Sequence, residues 1–168
     1  MEKDKYITLL ETILKNANRF KDSAAVILKS LPTENDYRNL SSAQFLLYCA
    51  MEECGKFLIV KDLYPKKIDS SSLRSNGFYR HEPKINRVLR NFEIDTKELN
   101  IENIKKKREL FKIILKYRSK SLYVDYSDVD GVIDVEEDRH LIEVCNVVKF
   151  VILLCQDKFN RFKINPLL

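Results

Sequence analysis

Turn-forming residues are scarce in this chain: three glycines and four prolines among 168 residues. Sandwiches and barrels need tight turns at short intervals, so that scarcity argues against them and for long helices. Tryptophan is absent and histidine occurs only twice. No apolar run approaches the roughly 20 residues that a membrane span requires. The opening residues, MEKDKY, alternate in charge and lack the apolar core of a secretion signal, so a cytoplasmic protein without membrane contact is expected. The four cysteines, Cys49, Cys54, Cys145 and Cys155, match no zinc spacing and lie in apolar helical segments. Buried reduced thiols are expected there, and no metal or cofactor is implied.

What is present is ordinary for a globular protein: 45% hydrophobic and 33% charged residues. That composition excludes wholesale disorder, and the length suits one domain spanning 1–168. Tyr6, Leu9, Ile13, Ala17, Phe20, Ala24, Ile27 and Leu31 recur at three- and four-residue intervals, an apolar stripe on a first helix ended by Pro32. Ser41 and Gln44 have capping-box spacing for a second helix to about Leu63, stopped by Pro65. This helix is apolar almost throughout, which predicts a central position. Residues 64–80 read as a linker. Glu82 and Pro83 open a short third helix to about Asn91, and a fourth runs from about Thr96 or Asn100 to Tyr123. Residues 124–136 form a second loop, and a last helix runs from about Glu137 to Phe162. The fold class is therefore all-α, a bundle of four to five helices.

Charge is unevenly spread. Residues 125–138 hold seven acidic side chains and no basic one, so the remainder of this +5 chain carries about +12 (5 plus 7). A basic body suits phosphate backbones, and also occurs on plain solvated helices. The acidic stretch resembles a calcium loop from Asp128 to Glu137, but Tyr126 stands where the first carboxylate ligand belongs, and the match reads as accident.

Two clusters carry possible chemistry. Glu52 and Glu53 precede Lys56 by four and three residues, spacings that bring side chains together on a helix. In so apolar a segment these charges either form a structural pair or face a polar site and orient a basic residue there. Further on, Arg74 and His81 flank the segment SNGFYR. Histidine exchanges protons near neutral pH and arginine grips a phosphate with parallel hydrogen bonds. Together they suit RNA cleavage by the internal 2′-hydroxyl, aided by amide donors at the helix start near Pro83. The bland alternative for His81 is a polar residue just outside a helix, bonded to backbone amides.

Three motifs occur in order: AMEECGK (Ala50–Lys56), Phe78 with His81 and Lys84, and KKREL to SLYVDY (Lys106–Tyr126). This set resembles the AbiV-type abortive infection proteins of the HEPN superfamily (higher eukaryotes and prokaryotes nucleotide-binding domain), over about residues 5–160. The resemblance implies an all-α, HEPN-like and usually dimeric bundle that acts in phage defence by shutting down translation when a phage-encoded protein is sensed. Catalytic members carry an R-x4–6-H motif and cleave RNA without metal, which would give His81 the proton transfer and Arg74 the phosphate. Glu52 or Glu53 would be the carboxylate of the earlier helix. Arg80, Lys84, Lys56 and the run Lys105, Lys106, Lys107 and Arg108 would contact host RNA. The alternative is a non-catalytic HEPN module that blocks translation by binding a phage protein, RNA or a ribosome component, with Lys105 to Arg108 dominant.

Overall fold

The computed structural model describes residues 3–30, 37–64, 66, 68–98 and 141–165. Among these are five helices and no strand: α1 (Lys3–Ser30), α2 (Tyr37–Leu63), α3 (Ser70–Ser75), α4 (His81–Glu98) and α5 (Leu141–Ile164). The expected all-α class holds. None of these helices is long and apolar enough to cross a membrane.

The first helix follows its periodicity. Tyr6, Leu10, Ile13, Ala17 and Ala24 are buried, with Phe20 and Ile27 packed beside them. Their alternating steps of four and three make a heptad-like seam laid along α2. Leu10 and Leu14 lie deeper than Leu9, so the stripe centres one residue further along.

The second helix is the hub, as its uniform apolarity predicts. It packs against each of the other four helices, and every residue from Ala50 to Gly55 is buried. Phe57, wholly buried, meets Phe159 of α5 edge to face at 6.3 Å; a side chain of that size contributes about 1.5–3 kcal/mol by leaving water. At one end of the bundle Tyr64 stands edge-on to both Tyr6 and Phe162, at 5.0 Å each. The Tyr6 hydroxyl is buried without a hydrogen-bond partner among the described residues.

Several expectations are corrected. The second helix starts at Tyr37, so Ser41 and Gln44 lie inside it and do not cap it; nothing in YRNL breaks a helix. The presumed linker 64–80 contains α3. Ser72 is a capping residue, with the Asp69 carboxylate accepting from the Ser72 amide and the Ser72 hydroxyl accepting from the Asp69 amide. Helix α4 begins at His81 and continues past Asn91 to Glu98, and it includes Thr96. The rest of the expected fourth helix, the Lys105–Arg108 run and the acidic loop lie outside the described residues.

All four cysteines are free, yet only Cys54 and Cys155 are buried; Cys49 and Cys145 are half-buried. Cys54 is held well above the ordinary thiol range by a hydrogen bond with Cys155 and by burial. The pair joins α2 to α5 as small packing residues.

Candidate functional site

The site is built where α4 crosses α2. Gly55 makes the crossing possible: a Cβ there would stand 2.6 Å from the Lys84 carbonyl carbon and 2.7 Å from the Lys84 Cβ. Ordinary contact begins near 3.4 Å, so only glycine admits the α4 backbone this closely. Glu52 lies three residues before Gly55 and therefore shares its face of α2.

Helix α4 is aimed by the corner before it. Gly77 adopts φ +80°. The Phe78 amide donates to the Leu73 carbonyl at 3.0 Å and the Gly77 amide to the Arg74 carbonyl at 3.1 Å. This is a Schellman closure of α3, with glycine in the left-handed position such caps favour. Leu73 and Phe78 pack against the core beneath it. A Cβ on Gly77 would also press on Pro83, 2.9 Å from its Cγ. One glycine thus ends α3 and seats the first turn of α4.

Three groups converge on Glu52. His81 Nδ1 donates to Oε1, the Tyr48 hydroxyl donates to Oε1 at 3.0 Å, and the Lys84 ammonium lies 3.4 Å from Oε2. Lys84 is only 4% exposed, so this carboxylate is its counter-charge in the interior. An ionised carboxylate can only accept, so the proton of a neutral His81 ring sits on Nδ1 and Nε2 keeps its lone pair. The imidazole itself is 45% exposed. The arrangement presents a ring of fixed orientation and tautomer, with one basic nitrogen free for proton transfer.

Glu53 serves a second, separate contact. It accepts from Lys56, whose ammonium also lies 5.9 Å from the centre of the Phe78 ring. Of the two adjacent glutamates, Glu52 therefore meets His81, and Lys56 answers to Glu53. Lys84, expected as a cation for substrate, is spent internally on Glu52. Arg74 lies exposed in the last turn of α3, and Arg80 is exposed immediately before His81. Among the described residues neither is engaged in an ion pair, so both guanidiniums are available to an anion. Cys49, one turn before Glu53, has its thiol pushed up to about 11 by burial and by the Glu52 and Glu53 carboxylates. It remains a thiol at neutral pH and is no nucleophile.

Tyr48 and Gly55 were not singled out from the sequence. Tyr48 carried a signal, four residues before Glu52 on the same face. So did Gly55, a residue without a side chain one turn after a carboxylate in an apolar helix.

Fold and site together define a helical bundle whose central helix uses a buried carboxylate to hold a histidine at the start of a neighbouring helix. The family model of the AbiV proteins, within the HEPN group, matches residues 5–139. The chain thus belongs to the AbiV family of abortive-infection HEPN proteins. The matched span contains every residue of the site, while α5 falls beyond it. No match was found among curated proteins or among solved structures.

Proposed function

We propose that this AbiV-family protein is a metal-independent endoribonuclease that shuts down translation during phage infection. The observation that carries the reading is Glu52 bonded to His81 Nδ1, with Lys84 and Tyr48 fixing the same carboxylate. An orienting carboxylate behind an imidazole is the arrangement general acid–base chemistry uses.

In the proposed reaction Nε2 of His81 takes the proton from a ribose 2′-hydroxyl, and that oxygen attacks the adjacent phosphorus. The bond from phosphorus to the 5′-oxygen breaks, and the leaving oxygen receives a proton. The products are a 2′,3′-cyclic phosphate and a 5′-hydroxyl, so atoms and protons balance. Arg74, aided by Arg80, neutralises the extra negative charge on the phosphorane. One imidazole cannot act as base and acid in the same displacement. A two-fold homodimer supplies the second, because such an interface sets a residue opposite its own copy. A phage-encoded protein would act as the activator of this otherwise silent site, with host RNA as substrate.

The test is cleavage of end-labelled single-stranded RNA by purified protein in excess chelator. The wild type should give cyclic-phosphate ends, and His81→Ala and Arg74→Ala should lose about 100-fold or more. In cells, His81→Ala should restore translation. Unchanged cleavage by His81→Ala overturns the catalytic assignment, whereas intact RNA held in a salt-sensitive complex supports the non-catalytic module instead.

A further inference from the structure

Tyr79 is not used by the chemistry above, yet its setting is unusual. Its ring is 57% exposed on the corner between α3 and α4. It does not hang loosely: it stands edge-on to Phe78, with centroids 5.3 Å apart and planes at 79°. Phe78 in turn is packed against the core and lies under the Lys56 ammonium. The backbone is pinned as well, by the Arg80 amide donating to Gly77 and the Phe78 amide donating to Leu73, both at 3.0 Å. The corner therefore spends order on holding an aromatic ring at the surface.

The surroundings select the partner. Residues 74–84 expose two basic side chains of permanent charge, Arg74 and Arg80, against one acidic side chain, Glu82. Nearby carboxylates are already engaged: Glu52 with His81 and Lys84, Glu53 with Lys56, Asp69 in the α3 cap. An exposed ring on the same corner as two exposed guanidiniums, neither in an ion pair among the described residues, suits a polymer that alternates flat aromatic groups with anions. Unpaired bases offer such a face, and a duplex buries it in its own stack.

We propose that Tyr79 is a base-stacking platform which receives an unpaired nucleobase next to the cleaved linkage, making single-stranded RNA the substrate class. This rests on the ribonuclease reading of the same site. Tyr79 and His81 are two residues apart, so their Cα atoms lie within about 7 Å. The stacked base thus belongs to a nucleotide flanking the scissile phosphate. Tyr79 binds by its π-face and needs no hydroxyl.

The experiment measures fluorescence anisotropy of a labelled 12-nucleotide single-stranded RNA, and of an abasic oligomer of the same length and charge. The proteins are His81→Ala, which prevents cleavage, and the same chain with Tyr79→Ala or Tyr79→Phe. Stacking of one base corresponds to about 5- to 150-fold in affinity. Tyr79→Ala should lose that much on RNA and almost nothing on the abasic oligomer, while Tyr79→Phe should stay within about threefold of its parent. Equal losses on both oligomers, or no loss on either, overturn the proposal. So does a shift of Tyr79→Ala to a smaller species in sedimentation, which would make the ring a contact between copies. If the parent binds no RNA, the ribonuclease reading falls together with the platform. If the parent binds and the wild type cleaves while Tyr79→Ala matches them, the platform alone falls.

Discussion

Gly55→Ala adds one methyl group at the point where α4 touches α2, and the outcome follows from the geometry. The new Cβ would lie 2.6 Å from the Lys84 carbonyl carbon, with the carbonyl oxygen closer still. Reaching ordinary contact at 3.4 Å requires the two backbones to part by at least about 0.8 Å (3.4 minus 2.6). Neither atom belongs to a flexible side chain, so the helix itself must move. A retreat of that size along the line of contact would lengthen the Lys84–Glu52 separation from 3.4 Å to about 4.2 Å, beyond ion-pair reach. His81, one turn earlier on the same helix, would be drawn away from Glu52 as well. Two effects oppose each other in stability: alanine favours the helix by about 1 kcal/mol over glycine, and overpacking costs about 1–3 kcal/mol. The obstacle is backbone and the buried pair is loosened too, so a net loss of about 2 kcal/mol is expected. Activity should suffer more, since a misplacement near 1 Å can cost about 100-fold. Urea unfolding followed by circular dichroism, alongside RNA cleavage at saturating substrate, reads both quantities. A variant as active as wild type and equally or more stable would refute the close crossing and the site built on it.

Other outcomes separate the roles of neighbouring residues. Glu52→Gln removes the counter-charge of an ammonium that is almost wholly buried and should cost about 2–4 kcal/mol in urea unfolding and abolish cleavage. Adding Lys84→Met should recover at least half of that stability without restoring activity, because the unpaired charge is gone but the imidazole still lacks its anchor. Glu53→Gln, which frees only the partly exposed Lys56, should cost less than about 1 kcal/mol and leave cleavage near wild type. Gly77→Ala should lose about 2 kcal/mol, combining the left-handed φ of +80° with the press on Pro83. Tyr6 is pushed up to about 12 by burial and by Tyr64. Between pH 10 and 12 the unfolded chain therefore binds fewer protons than the folded one, and stability falls as pH rises. Tyr6→Phe should remove that component of the alkaline loss and, by deleting an unpartnered buried hydroxyl, should not destabilise near pH 7. Thermal melts across the alkaline range check both.

How far the sequence revealed the fold depended on the length of each signal. The seam of α1 and the centrality of α2 were readable because each repeats over about twenty residues, and burial enforces the repeat. The corner between α2 and α4 was misread because its signals are single residues. Three serines after Asp69 look like flexible linker by composition, yet Asp69 with Ser72 is a reciprocal cap, and that depends on spacing. Gly77 closes α3 from the left-handed region. Its second duty, making room for Pro83, involves a residue six positions away and becomes visible only when α4 is in place.

The choice between Glu52 and Glu53 shows what a helix can and cannot disclose about a site. Adjacent positions point about 100° apart, so the two carboxylates necessarily serve different neighbours. Spacing to Lys56 could not decide, since three and four residues both permit contact. The deciding residue was Gly55. A residue without a side chain in the middle of a buried helix weakens that helix by about 1 kcal/mol, and such a position is retained where another backbone must pass close by. Its face is shared by residues three and four positions away, which selects Glu52 and Met51 and excludes Glu53. The crossing helix must then bring whatever the carboxylate is to hold, and α4 brings His81 and Lys84, three residues apart on one face. The imidazole's position is thus a consequence of a missing methyl group on α2. Arg74 has no comparable anchor among the described residues: it sits exposed on α3, a six-residue helix held by its caps and by Leu73.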